Sequence, residues 1–484
     1  MLFNSIEFIL FFPCVVTFYF IISDKYKNSW LLFTSYFFYM YWNPKYALLL
    51  AVLTFVSYSG GIYLEQREKT KTNLIVILLI VFSALIYFKY TNFILAQVNY
   101  VLSLITKKQI GKFDIILPVG ISFFTFQAAG YLIDVYKKET KAEKNLIKYS
   151  LFISFFPQLV AGPIERSKDL LNQFDKPKIY NPDRIFHGLV IMLWGFFLKI
   201  VIADRCAIIA DYCFGHYSTL KGIQLIAGAC AFSFQIYCDF MGYSTIARGA
   251  AKVFGINLTD NFRMPYFSST IKDFWRRWHI SLSYWLRDYL YIPLGGSKGT
   301  KLLTYRNLLI TFMVSGLWHG AGWNYVCWGG LHALYIIIGD QLKTLNQKAL
   351  SFFKIKPKSS FFIVFKRVYI YCLTVFAWIF FRSKDVGSAV EYIKRCFKLD
   401  NVSLIINDHI SRMGIGINQM NFNILLFSLA ILFFVSFIRE TRKDAYIFFI
   451  KQAPVFRLFC YWMIVFLIIL SSALSRKEFI YFQF

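Results

Sequence analysis

Long stretches without a charged residue constrain this chain more than any other feature. They run from Phe8 to Ser23, Tyr46 to Leu64, Ile115 to Ile133, Asn421 to Ile438 and Leu458 to Ser475. About 20 mostly apolar residues cross a bilayer as a helix, because within lipid each backbone N–H and C=O must be satisfied inside its own segment. Only 16% of the residues are charged, against about 25% in an average soluble chain. The expected fold is therefore an all-α integral membrane protein, a polytopic helical bundle.

The charge between these runs argues for the same class. A net charge of +27 can indicate nucleic acid, but here the basic residues form short clusters between apolar runs, the pattern of positive-inside loops. Nucleic acid is thus not an expected partner. A basic inner face would instead attract anionic membrane lipid or an acidic acyl-carrying partner. No basic residue precedes the first run and no small-residue cleavage site follows it, so the first helix is expected to be retained. The nine cysteines are scattered, without C-x-x-C or metal-ligand spacing, and read as small core residues.

Loop charges give an orientation. Met1 to Glu7 holds no lysine or arginine, whereas D-K-Y-K-N after the first run holds two lysines, which predicts the N-terminus outside. The alternation holds until Ile115 to Ile133, which has a basic loop on both sides and contains L-P-V-G at 117–120. A broken or re-entrant helix packed in protein is predicted there, with a kinked crossing as the alternative. The run around Ile185 to Ile202 is expected to place Lys199 and Asp204 near a membrane boundary, explained by snorkelling and interfacial pairing. Leu342 to Val368 carries seven basic residues and no acidic one, an inner loop. Two further crossings then leave the tail outside. This predicts one multi-spanning domain over 1–475 and an outer aromatic tail over 476–484.

Chemistry concentrates between Asn261 and Leu334, which hold three of the six histidines. From Asn307 to Gly339 there is no Asp, Glu, Lys or Arg. That is longer than one crossing requires and shorter than two, so either one long tilted helix or a pair broken near Gly320 to Gly322 is expected, with His319 deep in the apolar layer. His279 stands beside Asp273, Arg276, Arg277, Arg287 and Asp288. Such charges do not face lipid. The segment is predicted at an interface or re-entrant, lining a central polar cavity where His279 and His319 can meet. An imidazole with a pKa near about 6.5 can take a proton from an attacking hydroxyl and return it to a leaving group, as acyl transfer requires. Other readings are a histidine that only hydrogen-bonds within the bundle, or a Ser315–His319 nucleophilic pair lacking an orienting acid. No metal is expected, because no carboxylate or cysteine set is spaced to complete a site.

D-F-W-R-R-W-H-I-S-L-S-Y-W-L-R-D-Y-L-Y-I-P-L-G-G and S-G-L-W-H-G-A-G-W resemble the signatures of the membrane-bound O-acyltransferase family. The likeness is to its bacterial branch of alginate O-acetyltransferase membrane subunits and of peptidoglycan or exopolysaccharide O-acetylation proteins. M-L-F-N-S-I-E-F, L-P-V-G-I-S-F-F-T-F-Q, L-V-A-G-P-I-E-R and C-D-F-M-G-Y-S-T-I-A-R-G-A extend it over nearly the whole chain. The resemblance implies His319 as the catalytic histidine and His279 at a second polar position where relatives outside this branch carry asparagine. Asp273, Trp278, Trp318 and His332 would support the cavity, with packing as the other reading for His332. F-I-Y-F-Q-F resembles a terminal aromatic motif whose tyrosine, here Tyr481, would accept the acyl group; an interfacial anchor is the alternative.

By the same resemblance, the expected activity takes an acyl group, acetyl foremost, from a cytoplasmic thioester. The donor would be acetyl-CoA or an acylated carrier protein, with no bound cofactor. The group would cross a bacterial cytoplasmic membrane and reach a cell-surface polysaccharide through an extracellular acyltransferase partner. D-alanyl transfer to teichoic acid is the alternative within the family. A secondary transporter or polymer flippase is the alternative outside it, although no internal symmetry is present.

Overall fold

The protein is described here in a computed structural model covering residues 1–66, 70–106, 109–160, 162–176, 178–354, 356–357, 359–398, 414–442, 445–471 and 479. Helices dominate, and no strand occurs among the described residues. In chain order, the helices that matter for the site begin with α1 (Ile6–Ile21), α2 (Lys27–Met40), α3 (Pro44–Gln66), α4 (Lys71–Ser103), α5 (Ile121–Tyr136) and α6 (Leu146–Ser154). Then come α7 (Pro182–Gly215), α8 (Ile223–Val253), α9 (Ile271–Arg277), α10 (Ile280–Leu286), α11 (Lys301–His319) and α12 (Trp323–Gln341). The last are α13 (Lys343–Phe352), α14 (Ser360–Arg382), α15 (Val386–Cys396), α16 (Gln419–Arg442) and α17 (Pro454–Ser471).

Seven of these, α3, α4, α7, α8, α14, α16 and α17, are long and apolar enough to cross a membrane. Their starts follow local chemistry. Thr70 accepts the N–H of Asn73 and Ser359 that of Phe362, each satisfying a donor that a helix N-terminus otherwise leaves orphaned.

Contacts divide the chain into two compact units, Met1–Met192 with Tyr243–Asp260, and Leu193–Gly242 with Asn261–Phe484. In the first, the opening M-L-F-N is built into the core. Phe3 is 1% exposed and lies against Phe8 and Tyr243, and the Tyr243 hydroxyl donates to Asn4 Oδ1 at 3.1 Å. Between Ile115 and Ile133 the chain is not a helix interrupted midway: residues 115–118 are non-helical, and one helix, α5, begins at Ile121. Gly120 adopts φ +79°, and a Cβ there would run into the Leu159 carbonyl, so the turn requires glycine. α5 follows, with nearly every side chain buried. Its 16 residues span about 24 Å, less than the roughly 30 Å hydrocarbon core. In L-V-A-G-P-I-E-R, the buried Glu165 carboxylate accepts the Thr259 N–H at 2.6 Å and its hydroxyl at 3.0 Å.

The second unit corrects one expectation in part. Lys199 and Asp204 do pair, but they are buried rather than snorkelling or interfacial. Each side chain is 2% accessible, and Lys199 Nζ lies 2.8 Å from Asp204 Oδ1 and 2.7 Å from Asp239 Oδ1. The cause is partly local, because α7 passes through π-helical turns over Phe197–Ala203, and the wider turn redirects the side chains that follow. It is also partly distant: Asp239 comes from α8, and Gly242 on that helix would place a Cβ 3.1 Å from the Lys199 Cβ. Charges buried this deeply are tolerated when paired.

The charge-free stretch around His319 is a helical hairpin. α11 and α12 have 19 residues each, broken at residues 320–322. Glycine lets them meet backbone to backbone, since a Cβ on Gly316 would collide with the Tyr325 carbonyl and one on Gly329 with that of Phe312. Small residues allow this close approach where helices pack without a hydrophobic driving force between them.

Candidate active site

His279 sits at a break between two seven-residue helices, α9 and α10. Thr270 caps α9 by accepting the Asp273 N–H, and the helix stops at Trp278, whose backbone is extended. His279 then takes φ +42°, ψ 56°, a left-handed conformation that costs an L-residue about 1–2 kcal/mol. Hydrogen bonds from an upstream segment offset that cost. The Arg263 N–H donates to the Arg277 carbonyl at 3.0 Å and the Ile280 N–H to the Asn261 carbonyl at 3.1 Å. The Ser281 N–H donates to Asn261 Oδ1 at 3.1 Å. Asn261 is fully buried and holds the side of the kink after His279, while Arg263 holds the side before it.

His319 is the last residue of α11, 2% exposed, where Gly320 turns the chain toward α12. The two imidazoles stand 6.2 Å apart, centroid to centroid. Their surroundings are aromatic. Phe240 meets the His279 ring edge-on at 4.6 Å, while Trp328 and Phe381 meet His319 at 5.2 and 5.4 Å. Trp318 contacts both, at 5.8 Å from His279 and 4.9 Å from His319. A neutral imidazole presents one donor and one acceptor nitrogen. Two of them against one aromatic wall can move a proton and orient a reacting group while water is held back.

His332 does not join this pair. The Trp328 indole lies 5.2 Å from His319 and 5.2 Å from His332. The His332 Nδ1 faces the Trp275 indole N–H at 3.3 Å, and its ring stacks on Phe274. Packing and hydrogen bonding account for it. Trp278, fully buried, packs against Phe262, Phe274 and Trp378 as part of the floor below the kink. Asp273 is turned elsewhere, its carboxylate 3.1 Å from Arg277 Nε and 32% exposed. Ser315 lies one turn before His319, yet its buried hydroxyl makes no hydrogen bond among the described residues, so the serine–histidine pair is not formed. No three His, Cys, Asp or Glu side chains among the described residues are grouped to hold a metal ion.

Tyr481 lies outside the described residues, as does the rest of the tail except Phe479. Phe479 is fully buried, with its ring 5.7 Å from Phe240, the same phenylalanine that abuts His279. Sequence reasoning passed over Asn261, Phe240 and Phe381. Asn261 opens the histidine-rich stretch and Phe240 belongs to the C-D-F-M-G-Y-S-T-I-A-R-G-A segment, but neither position says what it touches.

Comparison with known proteins shows the family. The profile of the membrane-bound O-acyltransferase family matches residues 18–381, a span holding both histidines and all of their aromatic neighbours named here except the tail. A probable alginate O-acetylase, AlgI, of Pseudomonas putida is 33% identical over 506 aligned positions, covering 100% of both chains. The peptidoglycan O-acetyltransferase of Helicobacter pylori is 37% identical, covering 88% of this chain and 85% of its own. The teichoic acid D-alanyltransferase of Bacillus subtilis is 28% identical over 49% of this chain and 62% of its own. With the motifs, the helical architecture and the family profile coinciding on one histidine-bearing core, this chain belongs to the membrane-bound O-acyltransferase family and is a multi-pass membrane O-acyltransferase.

Proposed function

We propose that this enzyme takes an acetyl group from a thioester at its basic inner face and delivers it across a bacterial cytoplasmic membrane for O-acetylation of a cell-surface polysaccharide. The observation that carries this reading is the pairing of His279 and His319 at 6.2 Å beside the buried anchor of the tail, Phe479. Two residues of chain reach at most about 7 Å, which supports Tyr481 as the acyl acceptor. The donor is acetyl-CoA or an acetylated carrier protein.

A phenol, with a pKa of about 10, needs a base to attack a thioester. His319 takes the phenolic proton as the Tyr481 oxygen bonds to the acyl carbon. The C–S bond breaks, and the proton passes to the departing thiolate. His279 orients the reacting carbonyl. An extracellular acyltransferase then moves the acetyl group from tyrosine to a polymer hydroxyl and regenerates Tyr481. Both termini outside, as loop charge indicates, suit this direction. The glycan and acetyl assignments draw on the full-length likeness to proteins named as O-acetylases, against the half-length match to a D-alanyltransferase. Membership of an acyltransferase family sets the transporter reading aside.

Intact mass spectrometry of the C-terminal peptide tests this reading. An acetyl adduct on Tyr481 is expected in the wild type and absent from His319→Ala. A D-alanyl mass would move the enzyme to teichoic acid chemistry, and unmodified tyrosine with full polymer acetylation would reduce the tail to an anchor.

A further inference from the structure

The segment that carries His279 is fastened at Arg277 to an ion-pair network. Arg277 Nη1 lies 2.7 Å from Glu440 Oε2 and its Nε 3.1 Å from Asp273 Oδ1, while Arg367 Nη2 reaches Glu440 Oε1 at 3.5 Å. Glu440 stands at the end of α16, and Arg367 follows the lysine-rich loop that opens α14. The histidine segment is therefore tied to elements that meet at the basic loops. Both carboxylates are engaged by arginines. Arg263, whose backbone is bonded to that of Arg277, and Arg276, its neighbour in sequence, have exposed side chains and form no ion pair among the described residues. Two arginines, Arg277 and Arg367, thus take up the two carboxylates, and the further positive charge of this segment lies on the exposed Arg263 and Arg276. Elsewhere on this stretch the pattern differs: Arg287 is paired with Asp288 at 2.6 Å.

We infer that Arg263 and Arg276 form a binding site for the phosphate groups of the thioester donor. The guanidinium fork matches phosphate geometry with two parallel hydrogen bonds, where lysine offers a point charge. Position supports the assignment. Arg276 precedes His279 by three residues, a span of at most about 10 Å, so an anion held there brings its acyl arm toward the imidazole pair. Coenzyme A and a phosphopantetheinylated carrier protein share this phosphate chemistry. The inference rests on the thioester donor proposed above.

The test uses the purified full chain in nanodiscs of zwitterionic lipid, where no headgroup carries net charge. Titrations employ coenzyme A, pantetheine and a phosphopantetheinylated acyl carrier protein as separate probes. In Arg263→Ala/Arg276→Ala, affinity for whichever phosphate-bearing probe binds the wild type should fall at least tenfold. Pantetheine binding should be unchanged, and Arg263→Lys/Arg276→Lys should recover part of the loss. The probe that binds identifies the source of the phosphate. Equal affinity in wild type and double variant, with the protein folded, would assign these arginines to lipid headgroups or solvent and overturn the inference alone. A wild type that binds neither phosphate-bearing probe would overturn it together with the thioester donor.

Discussion

Two segments bring a histidine to one aromatic wall, and different forces hold them. The α11–α12 hairpin carries His319 at the end of a regular helix and is held by glycine-mediated backbone contact between Gly316 and Tyr325 and between Gly329 and Phe312. The α9–α10 kink carries His279 in a left-handed conformation held by hydrogen bonds to Asn261 and Arg263. The hairpin positions its histidine through shape, while the kink does so through polar bonds that repay local strain. A regular helix end tolerates few changes in bulk but many in polarity, and the kink should show the reverse.

The largest expected effect is on the chemistry. His319→Ala should lower acyl transfer by about 10²- to 10⁴-fold, the usual contribution of a positioned acid–base group, with membrane protein level unchanged. His279→Ala should also be severe, but His279→Asn should retain measurably more activity than alanine. Asparagine hydrogen-bonds and adopts left-handed backbone readily, yet cannot act as a base. Equal loss in both His279 variants would show that proton transfer, and not orientation, is what position 279 supplies.

The supports come next. Gly316→Val should abolish folded protein, seen as loss of a monodisperse peak in detergent, because the new Cβ meets a carbonyl that cannot move without parting the helices. Asn261→Ala should fold. It leaves the Ser281 N–H without its acceptor, a cost of about 1–3 kcal/mol, and should reduce turnover more than protein yield. If Asn261→Ala were lost from the membrane while Gly316→Val accumulated normally, the contrast between shape and polar bonding would be reversed. The smallest effect is expected at His332→Phe, with transfer within a few-fold of wild type, since stacking on Phe274 survives and only the contact with Trp275 Nε1 goes.

Much of this was legible in advance. Charge-free runs of bilayer length dictate buried backbone and hence helices, whatever they pack against. The Pro118 and Gly120 pair marks where the apolar run cannot continue as one helix, because proline fixes φ and lacks an N–H while glycine readily takes the positive φ of a turn. The alternatives of a tilted helix or a pair broken at 320–322 were visible too, and the glycines around the break chose the pair. The two histidine motifs announced themselves by placing imidazoles among tryptophans.

Other features depend on partners far apart in the chain. Lys199 reads as an interfacial lysine until Asp239, on another helix, turns it into a buried ion pair. Asp273 reads as a cavity acid until Arg277, which also holds Glu440, draws it into a partly exposed network. His332 and His319 are equally apolar in their local settings, and only the Trp328 ring between them separates the histidine bonded to Trp275 from the one that stands beside His279. Period, charge and backbone preference act over a few residues, so the sequence by itself determined the membrane class, the helices and which histidines to consider as candidates. Which of those side chains share a wall was left to the tertiary structure, because packing and pairing energies arise between residues that only the completed fold makes neighbours.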